Sequence, residues 1–329
     1  MDERIEFNGR VAVITGSGRG LGKAFAVALA ARGASVVVND VNADNARAVV
    51  GEIRDAGGRA IDCTISIASP EGGKKLVETA VEQFGSIDIL VSNAGILDVD
   101  DFADLTPERI VRLHDTNLLG AWWVTQPAWR VMRERGYGRI VLVGSSTGLL
   151  GQRGNAHYGS SKAGIWGLMK ALAFEAEAEE NGIRVNLLLP GAQTGIASDS
   201  MPQFAEKGID PGRYLFGEAA DSFAALTSDP ARADPALSAP MVAFLASEGC
   251  PVNGEAFTSS FGWFGRAFVG MGKGWLAPDP NGIKAEDIRE HFAQIDSIAQ
   301  FDAPKFMGDD MQSLARRIDG LQKNDAADA

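Results

Sequence analysis

The sequence predicts an α/β fold, with a single doubly wound domain built on a seven-stranded parallel sheet that carries helices on both faces. Between residues 9 and 265, short apolar runs alternate with longer segments of helical pattern, an order typical of such a sheet. The first apolar run, residues 11–14, leads directly into a glycine-rich turn and then an alanine-rich helical segment. A buried strand, a glycine turn and a helix in this order are typical of the first unit of a dinucleotide-binding fold.

Each predicted strand is a short apolar run bounded by turn residues. The seven strands are Val11–Thr15, Ser35–Asn39, Ala60–Cys63, Ile87–Val91, Arg139–Gly144, Ile183–Leu189 and Glu255–Thr258. Between the fourth and the fifth, Thr106-Pro107-Glu108 supplies an N-cap residue, a first-turn proline and a first-turn carboxylate. These three residues predict the start of a helix that extends to about Arg135.

The composition restricts the possible classes of partner. With 329 residues, of which 45% are hydrophobic, the chain can bury a sizeable core. Its formal charge of -12 disfavours a nucleic-acid or anionic-membrane partner, because phosphates would be repelled. It has two cysteines, no leader with a basic start and an apolar core before Phe7, and no apolar run long enough to cross a bilayer. We therefore expect a cytoplasmic protein whose partner is a small molecule.

The glycine-rich turn, residues 15–22, is the first candidate site. Its glycines let the backbone approach a pyrophosphate, and the following helix N-terminus supplies unpaired N–H groups and partial positive charge. The residues that we assign to the cofactor here are Gly16, Ser17, Arg19, Gly20 and Leu21. For such a motif alone, the alternative is a tight strand-to-helix turn without a ligand.

Asp40 follows the second predicted strand and is the candidate that selects the cofactor. A carboxylate at this place accepts hydrogen bonds from both hydroxyls of the adenosine ribose and repels a 2′-phosphate, so it favours NAD over NADP. Two observations stand against this interpretation. Asp40 also fits the end of a strand as an ordinary turn residue, and Arg19 in the glycine turn is a cation that could meet a phosphate.

Tyr158 and Lys162 form the candidate catalytic pair. Four residues apart on a helix, they lie on one face, where the ammonium would favour the charged form of the phenol. Tyr158 would then exchange a proton more readily than free tyrosine, and Ser145 would hold an oxygen beside it. A solvated helix face is the alternative for the pair by itself.

The order of these motifs resembles that of the short-chain dehydrogenase/reductase family over about residues 7 to 265. Besides the glycine turn and the pair Tyr158 and Lys162, the positions that match the family's order are Asn93-Ala94-Gly95, Asn117, Ser145 and Pro190-Gly191. The resemblance implies a Rossmann-type catalytic domain, residues 1–265, with a substrate lid at residues 197–240. It also implies a homodimer or homotetramer, and residues 266–329 would form a partly helical extension with a frayed end.

The resemblance further implies the roles of single residues. Asn93 and Gly95 would contact the cofactor, as would Tyr158 and Lys162. Asn117 would bind a water that links Lys162 to solvent, or else would cap a neighbouring strand. Asp62 would contact the adenine, although counting back from Pro70 puts Ser66 there instead. Thr194 would hold the nicotinamide carboxamide. The roles rest on the family's motif positions in this sequence.

Within the family, the pattern is most similar to the dehydrogenase part of peroxisomal multifunctional enzymes, which oxidises 3-hydroxyacyl-CoA and some 17β-hydroxysteroids. The residues that carry this similarity are Val38-Asn39-Asp40, Asn93-Ala94-Gly95-Ile96-Leu97, Tyr137-Gly138-Arg139-Ile140, Gly154-Asn155-Ala156-His157-Tyr158 and Asn253-Gly254 with Gly262-Trp263. The predicted activity is therefore the NAD-dependent interconversion of an alcohol and a ketone on a bulky apolar substrate, with no metal. As candidate substrates, a hydroxysteroid or other alicyclic alcohol and a 3-hydroxyacyl-CoA are ranked equally.

Two other functions use the same scaffold. A dehydratase or epimerase would keep its cofactor bound and release none of it reduced. A nucleotide-sensing regulator would need the glycine turn but no proton carrier, and the intact Ser145, Tyr158 and Lys162 stand against it. In the extension, residues 283–301 carry Ile288, Phe292, Ile295 and Ile298 at helical spacing and predict an amphipathic helix.

Overall fold

The computed structural model describes residues 4–191, Phe204 and residues 208–327, with side chains up to residue 319. The chain divides into two units, Met1–Arg266 and Ala267–Ala329. The strands of the first unit are β1 (Val11–Thr15), β2 (Ser35–Asn39), β3 (Arg59–Cys63), β4 (Ile89–Ser92), β5 (Gly138–Val143), β6 (Ile183–Gly191), β7 (Ala256–Ser260) and β8 (Trp263–Ala267).

These strands form one sheet in the order β3-β2-β1-β4-β5-β6-β7-β8. Neighbouring strands from β3 to β7 pair in parallel, with Val13 opposite Val37 on one side and Leu90 on the other. β1 and β2 are buried along their whole length, as in a sheet covered on both faces. The predicted fold class, an α/β domain with a doubly wound parallel sheet, is confirmed.

An eighth strand adds to the seven that were predicted. A two-residue turn, Phe261-Gly262, joins β7 to β8, and both of its residues have positive φ values of 54° and 85°. This is the backbone of a type I′ hairpin turn, which joins antiparallel strands. The segment carries a glycine and an exposed tryptophan, Trp263, so its sequence lacks the buried apolar run by which the other strands were recognised.

The helices of the first unit connect the strands. They are α1 (Gly20–Ala30), α2 (Ala43–Asp55), α3 (Pro70–Phe84), α4 (Pro107–His114), α5 (Gly120–Arg135), α6 (Thr147–Leu150), α7 (Ala156–Ala178), α8 (Pro211–Phe216), α9 (Ala220–Thr227), α10 (Pro230–Ala233) and α11 (Ala239–Ala246). On one side of the sheet, α1, α2 and α11 bury their apolar residues against the strands in a continuous core.

The helix predicted from Thr106 to Arg135 is present but interrupted. Thr106 caps it, because its hydroxyl accepts a hydrogen bond from the Arg109 backbone N–H at 3.4 Å. A π turn, Asp115–Leu119, then separates α4 from α5. Single π turns inside α-helices occur frequently at functional sites, and this one contains Asn117.

The described part of the second unit has its own small sheet and three helices. Its elements are β9 (Met271–Gly272), α12 (Ala285–Glu290), α13 (Phe292–Ile295), β10 (Phe301–Asp302) and α14 (Met307–Ala327). The single amphipathic helix predicted over residues 283–301 was wrong, because the chain leaves helical geometry at His291, whose φ and ψ are -96° and 7°. Asp302 instead organises the unit, since its carboxylate binds Lys273, Ser313 and Arg317.

Candidate active site

A cleft of about 220 Å³ opens at the carboxyl end of the sheet. It lies where β1 and β4 are neighbours although β2 and β3 intervene in the chain, so the strand order reverses there. Ligands of open α/β sheets bind at such a switch point. Predicted cofactor residues that line it are Gly16, Arg19, Gly20, Leu21, Asp40, Asn93 and Gly95.

The glycine turn has no room for side chains on its inner side. Gly16 has a φ of 61°, and a Cβ placed on it would lie 2.8 Å from the Ala94 Cα. A Cβ on Gly22 would overlap the Gly16 carbonyl oxygen. The backbone can therefore approach a ligand closely, and α1 begins at Gly20 with its N–H groups at the cleft. These features fit the pyrophosphate of a dinucleotide.

Asn93 fixes the glycine turn to the end of β4. Its side-chain amide donates to the carbonyl oxygens of Thr15 at 3.0 Å and Gly16 at 3.1 Å. Ser17 acts on the other side of the turn, where its buried hydroxyl donates to the Ile14 carbonyl at 2.8 Å. The Ser17 hydroxyl thus lies inside the fold and not at the cleft. This position does not fit a direct contact between the Ser17 side chain and the cofactor.

Asp40 is held in place at the far end of the cleft. One carboxylate oxygen accepts a hydrogen bond from the Gly18 N–H at 2.9 Å and the other from the Asn42 N–H at 2.9 Å. Each oxygen keeps further lone pairs for ribose hydroxyls. A Cβ on Gly18 would lie 2.7 Å from the Asp40 Oδ2, so the glycine at this position is what lets the carboxylate bind the turn.

The structure places Ser66, and not Asp62, in the cleft wall. Asp62 is exposed on β3, where it contributes to the electrostatic environment of Arg47 on α2. The lining therefore favours Ser66 over Asp62 as the neighbour of an adenine, and the contact itself stays a prediction. Ser66 lines the cleft together with Ile65, Ile67 and Ala68 of the loop that follows β3.

Tyr158, Lys162 and Ser145 lie together next to this cleft, beside Gly95, where a Cβ on Gly95 would lie 3.6 Å from Lys162 Nζ. Tyr158 and Lys162 come from the first two turns of α7, and Ser145 lies just after β5. The Ser145 hydroxyl is near enough to that of Tyr158 to lower the pKa of the phenol. Lys162 Nζ lies 5.7 Å from the centre of the Tyr158 ring. The three residues can therefore serve one reacting oxygen together.

The electrostatics of this group differ from the prediction. Burial raises the pKa of Tyr158, and the Ser145 hydroxyl only partly opposes this. Lys162 does not acidify the phenol here, because its Nζ donates to the Val143 carbonyl at 3.0 Å and is itself desolvated. Burial lowers the pKa of Lys162 to about 8. Removal from water thus disfavours the charged form of each group.

Asn117 contacts the backbone after β4. Its Oδ1 accepts a hydrogen bond from the Ile96 N–H at 2.8 Å, and its Nδ2 donates to the Ile96 carbonyl at 2.9 Å. A Cβ on Gly95 would lie 3.3 Å from Asn117 Oδ1 and 3.6 Å from Lys162 Nζ. The side chain of Asn117 therefore joins the π turn to the cleft wall, in agreement with the structural role considered for it above. Its role in binding a water beside Lys162 stays a prediction.

Part of the predicted substrate region is described. Thr194 lies outside the described residues, as does most of residues 197–207. Within the described part, Tyr214 is buried against Val99 and Phe204. Its hydroxyl donates to Asp101 at 2.8 Å. α8, which carries Tyr214, is therefore attached to the loop that follows β4.

One charged cluster was missed by the sequence reasoning. Arg109 on α4 binds both carboxylate oxygens of Asp98 and also donates to Asp100 at 2.6 Å. The hydrogen bonds from Arg109 hold the pKa of Asp98 below its usual range. His157, one residue before Tyr158, is buried beside this cluster. No local signal in the sequence brings residue 98 next to residue 157, because only the fold does so.

Among the residues that the structure describes, no group of three or more His, Cys, Asp or Glu side chains is arranged to hold a metal ion. No helix in this part of the chain is long and apolar enough to cross a membrane. 

Comparison with known proteins identifies relatives of this chain. Residues 10–203 match the family described as short chain dehydrogenase. The mouse peroxisomal multifunctional enzyme type 2 is 36% identical over 275 residues, which are 81% of this chain and 34% of that protein. A short-chain type dehydrogenase/reductase of Mycobacterium tuberculosis is 35% identical over 300 residues, 88% of this chain and 95% of the relative.

The solved structures give the same result. Full-length peroxisomal multifunctional enzyme type 2 from Drosophila melanogaster superposes with a TM-score of 0.76 at 28% identity, over 96% of this chain and 51% of that one. The chain spans about a third of the length of the mouse relative. The likeness therefore concerns one part of these multifunctional proteins.

Proposed function

Because this chain belongs to the short-chain dehydrogenase/reductase family of oxidoreductases, we propose that it is an NAD-dependent enzyme that interconverts a secondary alcohol and a ketone on a bulky apolar substrate. The observation that carries the proposal is that Ser145, Tyr158 and Lys162 lie together beside Gly95, which lines the cleft that also contains the Asp40 carboxylate. A proton carrier thus adjoins a candidate dinucleotide site.

Tyr158, Ser145 and Lys162 have different roles in the proposed reaction. A nicotinamide dinucleotide, when bound, supplies the hydride acceptor for oxidation and the donor for reduction. In oxidation, Tyr158 Oη takes the proton of the substrate hydroxyl, and in reduction it returns that proton to the carbonyl oxygen. Ser145 holds the same oxygen by a hydrogen bond. Lys162 Nζ, 5.7 Å from the centre of the Tyr158 ring and protonated below its pKa of about 8, would bind the nicotinamide ribose beside the phenol.

The cofactor is tested at Asp40. We expect wild-type kcat/KM to be higher with NAD than with NADP, because the fixed carboxylate repels a 2′-phosphate. Asp40→Asn, which keeps the size and removes the charge, should reduce this preference by at least about tenfold. Asp44→Asn on the exposed start of α2 is the matched control and should keep it. A wild-type preference for NADP would contradict the assignment.

The lid favours an alcohol without phosphates. Phe216 and Phe223 stack at 4.0 Å between ring centres, which provides an apolar surface. Its described cations are committed to carboxylates, since Arg213 binds Asp221 and Arg232 lies 3.7 Å from Asp229. Hydroxysteroids and other alicyclic alcohols are therefore placed ahead of acyl-CoA thioesters, whose phosphates need free cations.

The deciding experiment follows NADH absorbance with hydroxysteroids, monocyclic alcohols and 3-hydroxyacyl-CoA thioesters side by side. Turnover with an alicyclic alcohol supports the proposal, and turnover with the thioesters alone would move the substrate to the other class. Bound cofactor that is never released reduced, with every substrate, would contradict a dehydrogenase and point to a dehydratase or epimerase. Absence of both turnover and substrate binding would point to a regulator.

We also propose that the enzyme is a homodimer or homotetramer in the cytoplasm. Trp122 on α5 and Phe174 on α7 are exposed apolar side chains, and both helices line a cavity of about 330 Å³. Burial of such surface favours a second copy. Sedimentation that shows only monomer at micromolar concentration would contradict the assembly.

The proposed cytoplasmic location agrees with the cysteines. Both, Cys63 and Cys250, are free and buried, in keeping with a reducing compartment. Microscopy of the tagged chain tests the location.

A further inference from the structure

His157 is a buried polar residue that the proposed reaction does not use. It occupies the first turn of α7, one position before Tyr158, and is 3% exposed. Neither of its ring nitrogens has a hydrogen-bond partner among the described residues. Because buried polar groups in proteins are nearly always hydrogen-bonded, an imidazole kept in this state requires an explanation.

The surroundings of His157 are charged. Its Nε2 lies 3.7 Å from Asp98 Oδ2, which is too long for a hydrogen bond. Asp98 is already bound through both oxygens by Arg109 on α4. The charged and titratable groups that face the imidazole are Asp98 from the loop after β4 and Arg109 and His114 from α4.

We propose that His157 is a positioning residue that acts in its neutral form and keeps Tyr158 aligned with the cofactor cleft. The proposal rests on the proposed oxidoreductase function. The loop that carries Asp98 begins with Gly95 and Ile96, which line the cleft, and α7 carries Tyr158. The imidazole lies between this loop and this helix, so it sets the distance between the cofactor wall and the proton carrier.

Protonation of the imidazole would disturb this spacing. An imidazolium would attract the Asp98 carboxylate, which Arg109 now holds in two hydrogen bonds, and the loop would shift towards α7. Burial lowers the pKa of His157 below its usual value of 6.5, although Asp98 acts in the opposite direction. The residue is therefore neutral at pH 7 and gains its proton only in acid.

The kinetic test uses ketone reduction, in which Tyr158 must be protonated and its titration gives no loss of rate in acid. Wild-type kcat should fall by up to about tenfold per pH unit below the pKa of His157. His157→Asn cannot titrate and should lack this acid limb. His114→Asn, on the adjacent helix, is the matched control and should retain it. An acid limb that is unchanged in His157→Asn, or absent from wild type, would overturn the proposal.

A second measurement does not depend on turnover or on the Asn variant folding. The sequence has only three histidines, His114, His157 and His291, so their proton NMR titrations are readily assigned. His157 should titrate below 6.5, and Asp98→Asn should lower its pKa further because the carboxylate favours the charged ring. The wild-type kinetic limb, measured with saturating cofactor and ketone, should follow this titration.

The two results separate the two claims. If NMR gives the expected titration but no alcohol or ketone is turned over, the proposed function fails and the coupling of His157 to Asp98 stands. If turnover is found but His157 titrates at or above 6.5, or Asp98→Asn leaves it unchanged, the inference fails and the enzyme remains an oxidoreductase.

Discussion

The cofactor cleft and the catalytic group beside it are built from different kinds of side chains. In the cofactor cleft, the glycine turn, Asp40 and Asn93 are joined by hydrogen bonds to backbone atoms, such as Asp40 to the Gly18 N–H. In the catalytic group, the side chains are titratable and desolvated. They are Tyr158, Lys162 and, one residue before Tyr158, His157. Cofactor binding therefore depends on the shape of the cleft, and catalysis depends on the proton affinity of the side chains beside it.

This difference implies that substitutions in the two regions should separate binding from chemistry. A change of shape at the glycine turn alters how the backbone meets the cofactor but leaves the phenol and the ammonium as they are. Removal of a titratable group does the reverse, because the cleft wall is formed without it. The predictions below test this separation, beginning with the largest effect.

Tyr158→Phe should give the largest loss of turnover with intact cofactor binding. Removal of the proton carrier lowers kcat by roughly 100-fold or more, the range for lost general acid–base catalysis. The dissociation constant for NAD, measured by calorimetry, should change by no more than about threefold because the dinucleotide cradle is unaltered. Tyr214→Phe, which loses only the bond to Asp101, should keep turnover within a few-fold. Equal losses in both variants would show that the phenol of Tyr158 has no special role.

Gly22→Ala should weaken cofactor binding without removing the chemistry. The new Cβ would overlap the Gly16 carbonyl oxygen, so the turn must shift and the NAD dissociation constant should rise by about tenfold, or about 1.4 kcal/mol. At saturating cofactor, kcat should stay close to wild type. Gly51→Ala in α2, where a Cβ meets nothing within 4 Å, is the control and should stabilise the fold by roughly 0.5–1 kcal/mol. Unchanged NAD affinity in Gly22→Ala would contradict the shape argument.

The smallest effect concerns stability against pH. Burial lowers the pKa of Lys162 to about 8, from a usual value of 10.5. Between these values the unfolded chain binds a proton that the folded chain does not, so the free energy of unfolding gains about 1.4 kcal/mol per pH unit from this residue as pH rises above 8.

Lys162→Met should lose that contribution. Urea denaturation of both proteins at pH 7.5, 8.5 and 9.5 measures it, and the difference between their slopes isolates the ammonium from other titrating groups. Parallel pH dependence in the two proteins would show that Lys162 stays charged in the fold.

The sequence allowed the fold class to be predicted, because strand runs such as residues 11–15 and 35–39 are almost wholly apolar and are buried on both faces. Motifs local in sequence, such as the glycine turn and the spacing of Tyr158 and Lys162, led to the cleft for the same reason. β8 was missed because an exposed edge strand has no such run. Asp98, Arg109 and His157 were missed because their proximity is created only by the packing of α4 and α7 against the loop after β4.

The pKa of the catalytic pair could not be predicted from spacing alone. Four residues of separation put the phenol and the ammonium on one helix face, but the direction of each shift depends on burial and on the Val143 carbonyl, which accepts from Lys162. Asp62 and Ser66 were alternatives for the adenine contact, and only the path of the loop after β3 shows that Ser66 lines the cleft. Loop paths and desolvation are tertiary properties, and a local motif does not contain them.

Three asparagines at the carboxyl edge of the sheet fasten neighbouring segments together. Asn39 donates to the carbonyl oxygens of Cys63 and Ile65, Asn93 to the glycine turn, and Asn117 to Ile96. The carboxamide side chain of asparagine neither gains nor loses a proton over the pH range in which proteins fold. The hydrogen bonds of these three side chains are consequently unaffected by pH, so a change of pH acts on the cleft wall through titratable neighbours such as His157 and Asp98.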